Sequence, residues 1–422
     1  MDKTVIKQVL LDQKAEIGRI FNQPIIEREK LPDATRMLTQ KMAKVITGIR
    51  RCGKSVLAHQ MLKNCSYAYI NFDDERLAAV HAEDLNDFLE TAKEITPDFN
   101  HLLLDEIQNT SGWELFVNRL LRNDYNVIIT GSNSHLLSKE LATHLTGRHL
   151  SLELFPFSFR EFLLQNGISA GEDDFFKTDK RAEFKMMLER YIQEGGFPEV
   201  QKMDLKENYL RELFDKIITK DIVMRYNIKY GRDLKEMALY LLSNFASRAA
   251  YHKIKNIFEV KSVHTIKNYF EFLEESYLLF GVNAFSFKLK EQIRKPKKIY
   301  AIDTGLINAI VPKISLNIGR LMENTVFLEL KRRGMDVYYY TDGHCEVDFV
   351  IKDGLKIKKM IQVCYSIESL ETKEREIKSL VKAQAKLECQ GSTVITWDTE
   401  GDETVKNTKI QFIPLWKWLL CF

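Results

Sequence analysis

A single octapeptide, Gly48-Ile49-Arg50-Arg51-Cys52-Gly53-Lys54-Ser55, constrains this chain more than any other feature of its sequence. It matches the pattern G-x-x-x-x-G-K-[ST] in full. The apolar run Lys44-Val45-Ile46-Thr47 precedes it and favours a buried strand, and the pattern from Val56 to Leu62 favours a helix. The glycines let the main chain curl so that successive N–H groups point at phosphate oxygens. The helix presents its positive end to the same anion.

The octapeptide therefore predicts a binding site for ATP and Mg²⁺. Lys54 is expected to reach the β- and γ-phosphates, and the Ser55 hydroxyl is expected to hold the magnesium ion. A plain glycine turn is the alternative, but the preceding strand and the following helix are the context that nucleotide binding requires. The residues predicted to contact the nucleotide are Gly48, Ile49, Arg50, Arg51, Cys52, Gly53, Lys54, Ser55 and Val56.

Two adjacent acids follow the apolar run His101-Leu102-Leu103-Leu104. If this run is a buried strand beside the phosphate loop, Asp105 at its end is expected to join the magnesium site. Glu106 is then placed to polarise the attacking water as a general base. The pattern thus predicts hydrolysis of ATP as well as binding. The alternative is an acid pair at a strand end that faces solvent.

A second buried run, Val127-Ile128-Ile129, ends in small polar residues. A hydroxyl or amide there could lie between the general base and the γ-phosphate. Ser132 or Asn133 is the candidate, and Thr130 is also eligible. The alternative is a capping turn for a helix from His135 to Leu141, because helix caps use the same residue types.

Arg148 closes the stretch Leu145-Thr146-Gly147-Arg148. A guanidinium that reaches the γ-phosphate of a neighbouring subunit would stabilise charge in the transition state. A surface arginine without this role is an equal alternative on the sequence alone. If the functional interpretation holds, the active form is a homo-oligomer.

The length of 422 residues is too great for one hydrophobic core, so several domains are expected. Strand and helix patterns alternate through residues 40–155, which predicts an α/β fold with a parallel sheet and helices on both faces. Helical patterns then dominate residues 160–250, a strand pair is expected around Leu278 to Phe287, and strand patterns return from Lys297 onward.

Several short segments along the chain carry a further resemblance. They are Thr47-Gly48-Ile49-Arg50-Arg51, Asn71-Phe72-Asp73-Asp74, Leu104-Asp105-Glu106-Ile107-Gln108, Thr130-Gly131-Ser132, Gly147-Arg148, Leu154-Phe155-Pro156-Phe157-Ser158-Phe159-Arg160-Glu161-Phe162, Gly195-Gly196-Phe197-Pro198 and Asp303-Thr304-Gly305-Leu306. Together they resemble a family of predicted AAA-type ATPases that is widespread in bacteria and archaea. The resemblance covers most of the chain, and the Gly147-Arg148 match raises the weight of Arg148 as a residue that acts in trans.

The resemblance implies an AAA-like core, a helical and winged-helix middle, and a C-terminal α/β domain that looks like a restriction-endonuclease fold. The expected boundaries are 1–30 for an N-terminal arm, 31–165 for the P-loop core, 166–231 for a helical lid or linker, 232–290 for the winged-helix-like domain, and 291–422 for the C-terminal domain.

The winged-helix interpretation suggests a DNA contact. The third helix, which opens at Val263, would read a groove, and the Leu278–Phe287 strands would form the wing. A packing or oligomerisation module is an equal alternative, because nearby glutamates dilute the positive field. The candidate phosphate contacts are Lys253, Lys255, Lys261 and Lys267, and the diluting acids are Glu271, Glu274 and Glu275.

The endonuclease-like domain keeps only part of a metal site. Restriction-type nucleases place an acid on a helix, an aspartate on one strand, and an acid-x-lysine pair on the next. Here Glu323 and Asp348 match, but Gln362 stands where the second strand acid belongs and Cys364 where the lysine belongs. A metal site at Glu323, Asp348 and Gln362 is therefore a weak candidate, and efficient cleavage is not expected. The neighbouring pair Lys358-Lys359 keeps the question open.

The composition limits the classes of function and location that remain. The net charge of +3 does not by itself argue for nucleic-acid binding, and the six cysteines form no C-x-x-C pair. Neither an apolar leader nor a stretch of about 18 apolar residues is present, so a cytoplasmic protein without a membrane span is expected. Three hypotheses follow: a DNA-associated ATPase, a nucleotide-dependent switch that binds another protein, and a metal-dependent nuclease.

Overall fold

The chain forms two compact units in a computed structural model, which describes residues 1–133, 147–260, 262–312, 317–343, 345–354, 356–389, 391–406 and 408–421. The first unit comprises Met1–Phe155 with Glu275–Tyr277, and the second comprises Pro156–Glu274 with Leu278–Phe422. In the described part of the chain, no helix has both the length and the apolar character needed to cross a bilayer.

The first unit is an α/β fold around a five-stranded sheet in the order β2-β3-β4-β1-β5, and all its neighbouring strands are parallel. This confirms the predicted parallel sheet. Its strands are β1 Ala43–Thr47, β2 Tyr67–Asn71, β3 His101–Asp105, β4 Asn126–Gly131 and β5 His149–Glu153. Its described helices are α1 Lys3–Phe21, α2 Leu31–Met37, α3 Lys54–Met61, α4 Leu85–Ile95 and α5 Trp113–Arg122, and single 3₁₀ turns lie at Glu75–Leu77 and Ile107–Asn109.

The central strands are nearly continuous apolar runs because both faces of the sheet are covered. The leading helix α1 belongs to the same core, since Ile6, Val9 and Leu10 pack with the sheet residues. Its Gln13 side chain exchanges two hydrogen bonds of 3.0 Å with the main chain of Asn71, on the edge strand β2. The N-terminal segment is therefore an integral helix of this unit.

The second unit begins with helices, as predicted, and continues into two sheets. Its described α-helices are α6 Phe159–Gln165, α7 Thr178–Glu194, α8 Lys206–Lys216, α9 Gly231–Ser243, α10 Tyr251–Ile257, α11 Val263–Glu275, α12 Leu289–Arg294, α13 Thr304–Ile310, α14 Ile318–Arg332, α15 Leu370–Leu387 and α16 Leu415–Leu420. A π-helical segment lies at Ile217–Met224, and 3₁₀ segments lie at Glu172–Phe176 and Val200–Lys202. Its strands are β6 Ser247–Ala249, β7 Leu279–Val282, β8 Lys297–Ala301, β9 Asp336–Thr341, β10 Glu346–Asp353, β11 Lys356–Val363, β12 Ser392–Thr396, β13 Gly401–Val405 and β14 Thr408–Pro414.

The smaller sheet of this unit has the order β6-β8-β7, and both of its strand pairs are antiparallel. The predicted strand pair within Leu278–Phe287 is wrong, because only β7 forms there. Its partner is β8, which the sequence pattern had assigned to the C-terminal domain. Local periodicity identifies a strand but cannot identify the strand with which it pairs.

The larger sheet has the order β13-β14-β12-β11-β10-β9 and is mixed. Strands β11, β12 and β14 run parallel, and the remaining neighbours are antiparallel. The sequence reading missed β13 and β14. Along β14 buried and solvent-facing residues alternate, so it lacks the continuous apolar run that revealed β12.

Two of the motifs that carry the family resemblance, those at Gly195 and Asp303, pack against each other in the second unit. Gly195 has φ +78°, and a Cβ there would lie 2.1 Å from Asp303 Oδ1. A Cβ on Gly305 would lie 2.1 Å from the main-chain oxygen of Glu194. The buried Asp303 carboxylate accepts hydrogen bonds from the N–H groups of Gly196 (2.7 Å) and Leu306 (2.8 Å), and burial raises its pKa to about 6. Both glycines are therefore required by close packing, since any side chain would displace this contact.

Candidate functional site

The phosphate loop follows β1 directly and runs into α3. Gly48 has φ +153°, and a Cβ there would lie 2.1 Å from the main-chain oxygen of Leu154, which follows β5. Gly53 has φ +99° at the start of α3. Glycine at these two positions lets the chain curl tightly against the neighbouring strand.

A buried arginine stabilises this loop, and the sequence analysis did not predict it. Arg28 donates one hydrogen bond to the main-chain oxygen of Cys52 (2.8 Å) and another to that of Phe155 (2.7 Å). It thereby ties the loop to the chain that follows β5. No local pattern marks Arg28, because its contacts lie 24 and 127 residues away in sequence.

Lys54 is buried at the start of α3, and its ammonium donates to the main-chain oxygen of Ile49 at 3.2 Å. It also lies 3.8 Å from Glu106 Oε1. The first N–H groups of α3 have no acceptor within the helix, and the helix dipole adds positive potential there. This set of donors around a curled main chain fits the phosphates of a nucleotide.

Asp105 ends β3 as a buried carboxylate. The Tyr69 hydroxyl donates to its Oδ2 at 3.1 Å, and the Thr130 hydroxyl donates to its Oδ1. Burial and the Asp105 charge raise the pKa of Tyr69, which keeps the phenol a donor. In the sheet, β4 lies between this strand and β1. The carboxyl ends of all these parallel strands still meet at one edge, where the loop also lies.

Glu106 adopts φ +53° and ψ +35°, the left-handed conformation, which costs a non-glycine residue about 1–2 kcal/mol. Its Oε2 accepts a hydrogen bond from the Gln108 side chain. The same oxygen accepts two hydrogen bonds of 3.3 Å from Ser132, one from the main-chain N–H and one from the hydroxyl. The strained main chain aims this carboxylate at the edge of the sheet that carries Lys54.

The structure separates the three candidates at the end of β4. Ser132 contacts Glu106, Thr130 contacts Asp105, and Asn133 is buried. The helix from His135 to Leu141, which the alternative capping interpretation invoked, lies outside the described residues.

Arg148 lies far from the phosphate loop of its own chain. Its main-chain oxygen accepts from the N–H of Ala43 at 3.0 Å, and its side chain is exposed. Ala43 starts β1, whereas the loop follows the end of that strand. The main chain of Arg148 therefore lies at the end of β1 opposite the end that leads into the loop.

A second cluster of charges lies in the second unit. It joins Glu323 on α14 and Asp348 on β10 through a buried lysine on β8, a strand of the smaller sheet. Lys298 Nζ lies 2.9 Å from Glu323 Oε1, 2.8 Å from Asp348 Oδ1 and 3.1 Å from Glu346 Oε1, and its side chain is 3% exposed. Burial alone would lower the pKa of Lys298, but these three carboxylates raise it above its ordinary value.

The side chain of Gln362, a predicted metal ligand, forms hydrogen bonds within the chain. Its Oε1 accepts from the N–H of Asp348 (3.2 Å), and its Nε2 donates to Glu376 (2.7 Å). In the described ranges, no group of three or more His, Cys, Asp or Glu side chains could hold a metal ion. Lys358 and Lys359 lie on β11, whereas the lysine that pairs with Glu323 and Asp348 in the described ranges is Lys298 on β8.

The comparisons with known proteins divide the chain into three matched regions. A family model described as an AAA domain matches residues 40–163. Models described as domains of unknown function match residues 186–318 (DUF8612) and 318–418 (DUF4143). The first region contains the phosphate loop and both acids.

Relatives match over nearly the whole length. An uncharacterized protein of Methanocaldococcus jannaschii is 36% identical over 442 residues, which cover 100% of this chain and 96% of the relative. An uncharacterized protein of Haemophilus influenzae is 34% identical over 367 residues, with 82% and 88% covered. Among solved structures, a Walker-type ATPase of Pyrococcus abyssi matches 68% of this chain and 96% of its own at 14% identity and a TM-score of 0.40, too distant to support an argument. The relatives, the AAA domain and the C-terminal DUF4143 domain together show that this chain belongs to a family of AAA-type P-loop ATPases.

Proposed function

We propose that this protein binds ATP with Mg²⁺ and hydrolyses it to ADP and phosphate. The observation that carries the proposal is the meeting of Lys54, Asp105 and Glu106 at one edge of the parallel sheet. An isolated loop motif would support binding alone. The buried Asp105 and the strained Glu106, which lies 3.8 Å from the Lys54 ammonium, support hydrolysis as well.

The roles follow from the donor and acceptor groups at this edge. Lys54 and the loop N–H groups hold the phosphates, and Ser55 with Asp105 would hold the magnesium ion, which neutralises charge on the phosphate oxygens. Tyr69 and Thr130 hold the Asp105 carboxylate in one orientation. Arg28 keeps the loop in its curled form through Cys52.

Glu106 orients the attacking water and accepts its proton. Its carboxylate accepts hydrogen bonds from Gln108 and Ser132, and Lys54 lies nearby. A γ-phosphate would compete for Lys54 and for the Ser132 hydroxyl, because both are donors. Ser132 thereby links the presence of the γ-phosphate to release of the base, and buried Asn133 is a second candidate for the same role.

Substitutions should separate binding from hydrolysis. Lys54→Ala is expected to lower kcat/KM for ATP by at least about 100-fold, since it removes the cation on the transferred phosphate. Glu106→Gln should lower kcat by about 10²–10⁴-fold while nucleotide binding persists, because only proton acceptance is lost. Phosphate release and fluorescent-nucleotide binding measure the two effects.

The matched controls are Lys63→Ala and Glu75→Gln, both exposed residues of the same unit. They should leave kcat and KM unchanged. Full turnover in either site variant would contradict the assigned roles.

We propose that Arg148 completes the site of a neighbouring subunit. Its side chain is exposed and its main chain lies at the end of β1 opposite its own loop, which favours a γ-phosphate in another chain. The active form is then a homo-oligomer.

Mixing two inactive variants tests this arrangement. Arg148→Ala is expected to lower kcat by about 1,000-fold or more, and Lys54→Ala is inactive for a different reason. Mixed oligomers contain sites with an intact Lys54 and a neighbour's intact Arg148, so turnover should partly return. Loss of activity in both variants without recovery on mixing would contradict action in trans.

We propose further that hydrolysis serves an activity on DNA. The support is the order α9, β6, α10, α11, β7, β8, three helices with an antiparallel sheet, which is the arrangement expected of a winged helix. The alternative is a nucleotide-dependent switch that binds another protein. It would use the same nucleotide site, but its partner would be a protein instead of DNA. Absence of binding to any DNA at low salt would contradict the DNA part of the proposal.

We propose that the C-terminal domain does not cleave DNA, because the Lys298 ammonium pairs with both Glu323 and Asp348, the two acids predicted to hold a metal ion. Plasmid DNA is expected to stay intact with Mg²⁺ or Mn²⁺. Lys298→Met should lower the free energy of unfolding by about 3–5 kcal/mol, since it leaves buried carboxylates unpaired.

Urea denaturation measures this loss. Lys41→Met is the matched control, because Lys41 and Asp124 form an exposed ion pair at 2.9 Å, and removal of such a pair should change stability by less than about 1 kcal/mol. Metal-dependent cleavage by the wild-type protein that Glu323→Gln abolishes would contradict the proposal.

A further inference from the structure

The connection between β7 and β8, residues 283–296, has a fixed base and is largely exposed from residue 286 onward. The N–H of Phe285 donates to the main-chain oxygen of Tyr339 at 2.6 Å, and the N–H of Tyr339 donates to that of Asn283 at 3.1 Å. The Phe285 ring also packs edge-on against Tyr338, with ring centroids 5.8 Å apart. The base is therefore anchored on the edge strand β9.

Beyond this base, three large apolar side chains face solvent. Phe287 is 76% exposed, Leu289 68% and Ile293 73%. The isolated exposure of one such residue is ordinary, but three within seven residues form a patch, and patches of this kind mark binding surfaces.

Positive charge surrounds the patch. The β7–β8 connection carries Lys288, Lys290, Arg294 and Lys295 against one acid, Glu291, which lies 3.4 Å from the Lys288 ammonium. The net charge of this connection is +3, equal to the net charge of the whole chain. The other residues together carry no net charge, so this short connection has an excess of positive charge.

The partner must therefore supply negative charge and a flat apolar face within a short distance. DNA does so where bases are unpaired, because phosphates attract the cations and a free base can stack on an aromatic ring. An intact duplex hides the faces of its bases and would leave the three apolar side chains uncovered. The exposed face of α11 has no such patch, and Glu271 there opposes the charge of Lys267.

We infer that the β7–β8 connection binds single-stranded DNA, with Phe287 stacked on a base and Lys288 and Lys290 on the phosphates. This inference rests on the DNA part of the proposed function and names its contact surface. The predicted groove-reading helix α11 is not the principal contact. Junctions, forks and frayed ends are the DNA forms that offer unpaired bases.

Fluorescence anisotropy of a labelled single strand and of its blunt duplex, measured over a range of salt concentrations, tests the inference. Wild-type protein should bind the single strand more tightly than the duplex. Phe287→Ala should weaken binding about 5- to 150-fold at each salt concentration, because one stacking contact is lost. The double variant K288Q/K290Q should reduce the slope of log K against log salt by about 1.4, at about 0.7 for each phosphate contact.

Matched controls exist in the same unit. Phe176 is 82% exposed but lies beside Glu172, Asp173 and Asp174, so Phe176→Ala should not change DNA binding. K202Q/K216Q removes two exposed lysines elsewhere and should change the salt slope less than K288Q/K290Q. All substituted residues are exposed, so thermal unfolding and ATP turnover without DNA should match the wild type.

The outcomes separate this inference from the proposed function. If wild-type protein binds no DNA, the DNA part of the proposed function fails and the inference fails with it. If wild-type protein binds DNA and the Phe287 and lysine variants bind equally well, only the inference is overturned. Binding to anionic phospholipid vesicles that these variants lose, with single-strand binding unaffected, also overturns it.

Discussion

The geometry of the first unit depends on one packing constraint, the close approach of the phosphate loop to the chain that follows β5. Gly48 permits the approach because it has no side chain, and Arg28 fixes it by donating to Cys52 and Phe155. The curl of the loop is therefore held by contacts within the chain itself. N–H donors held in this way reduce the entropic cost of ordering them around a phosphate.

The sequence predicted the parts of the site that are local. The octapeptide and the apolar run before Asp105 each combine a strand with the residues at its end, so a short window suffices to recognise them. The sequence did not predict the contacts of Arg28 and Tyr69. It also did not predict that β4 lies between β1 and β3. Tyr69 contacts Asp105 from 36 residues away, and only the register between β2 and β3 brings the two together.

The second unit shows the same limit more strongly. Glu323 and Asp348 were recognised as a pair, yet the lysine between them comes from β8, 50 residues before Asp348 and in a different sheet. The basic run that contains Lys298 carries no signal that distinguishes the buried lysine from its exposed neighbours. The interlock of Gly195 with Asp303 likewise joins segments 108 residues apart, which explains two motifs that the nucleotide site does not use.

We predict that the folded chain holds a site for one magnesium-bound triphosphate. Isothermal titration calorimetry with Mg²⁺ and a slowly hydrolysed ATP analogue measures this binding directly. One binding event per chain is expected, and it should weaken when the magnesium is removed, because Ser55 and Asp105 act through the ion. A well-folded sample with no affinity for any purine nucleotide would contradict it.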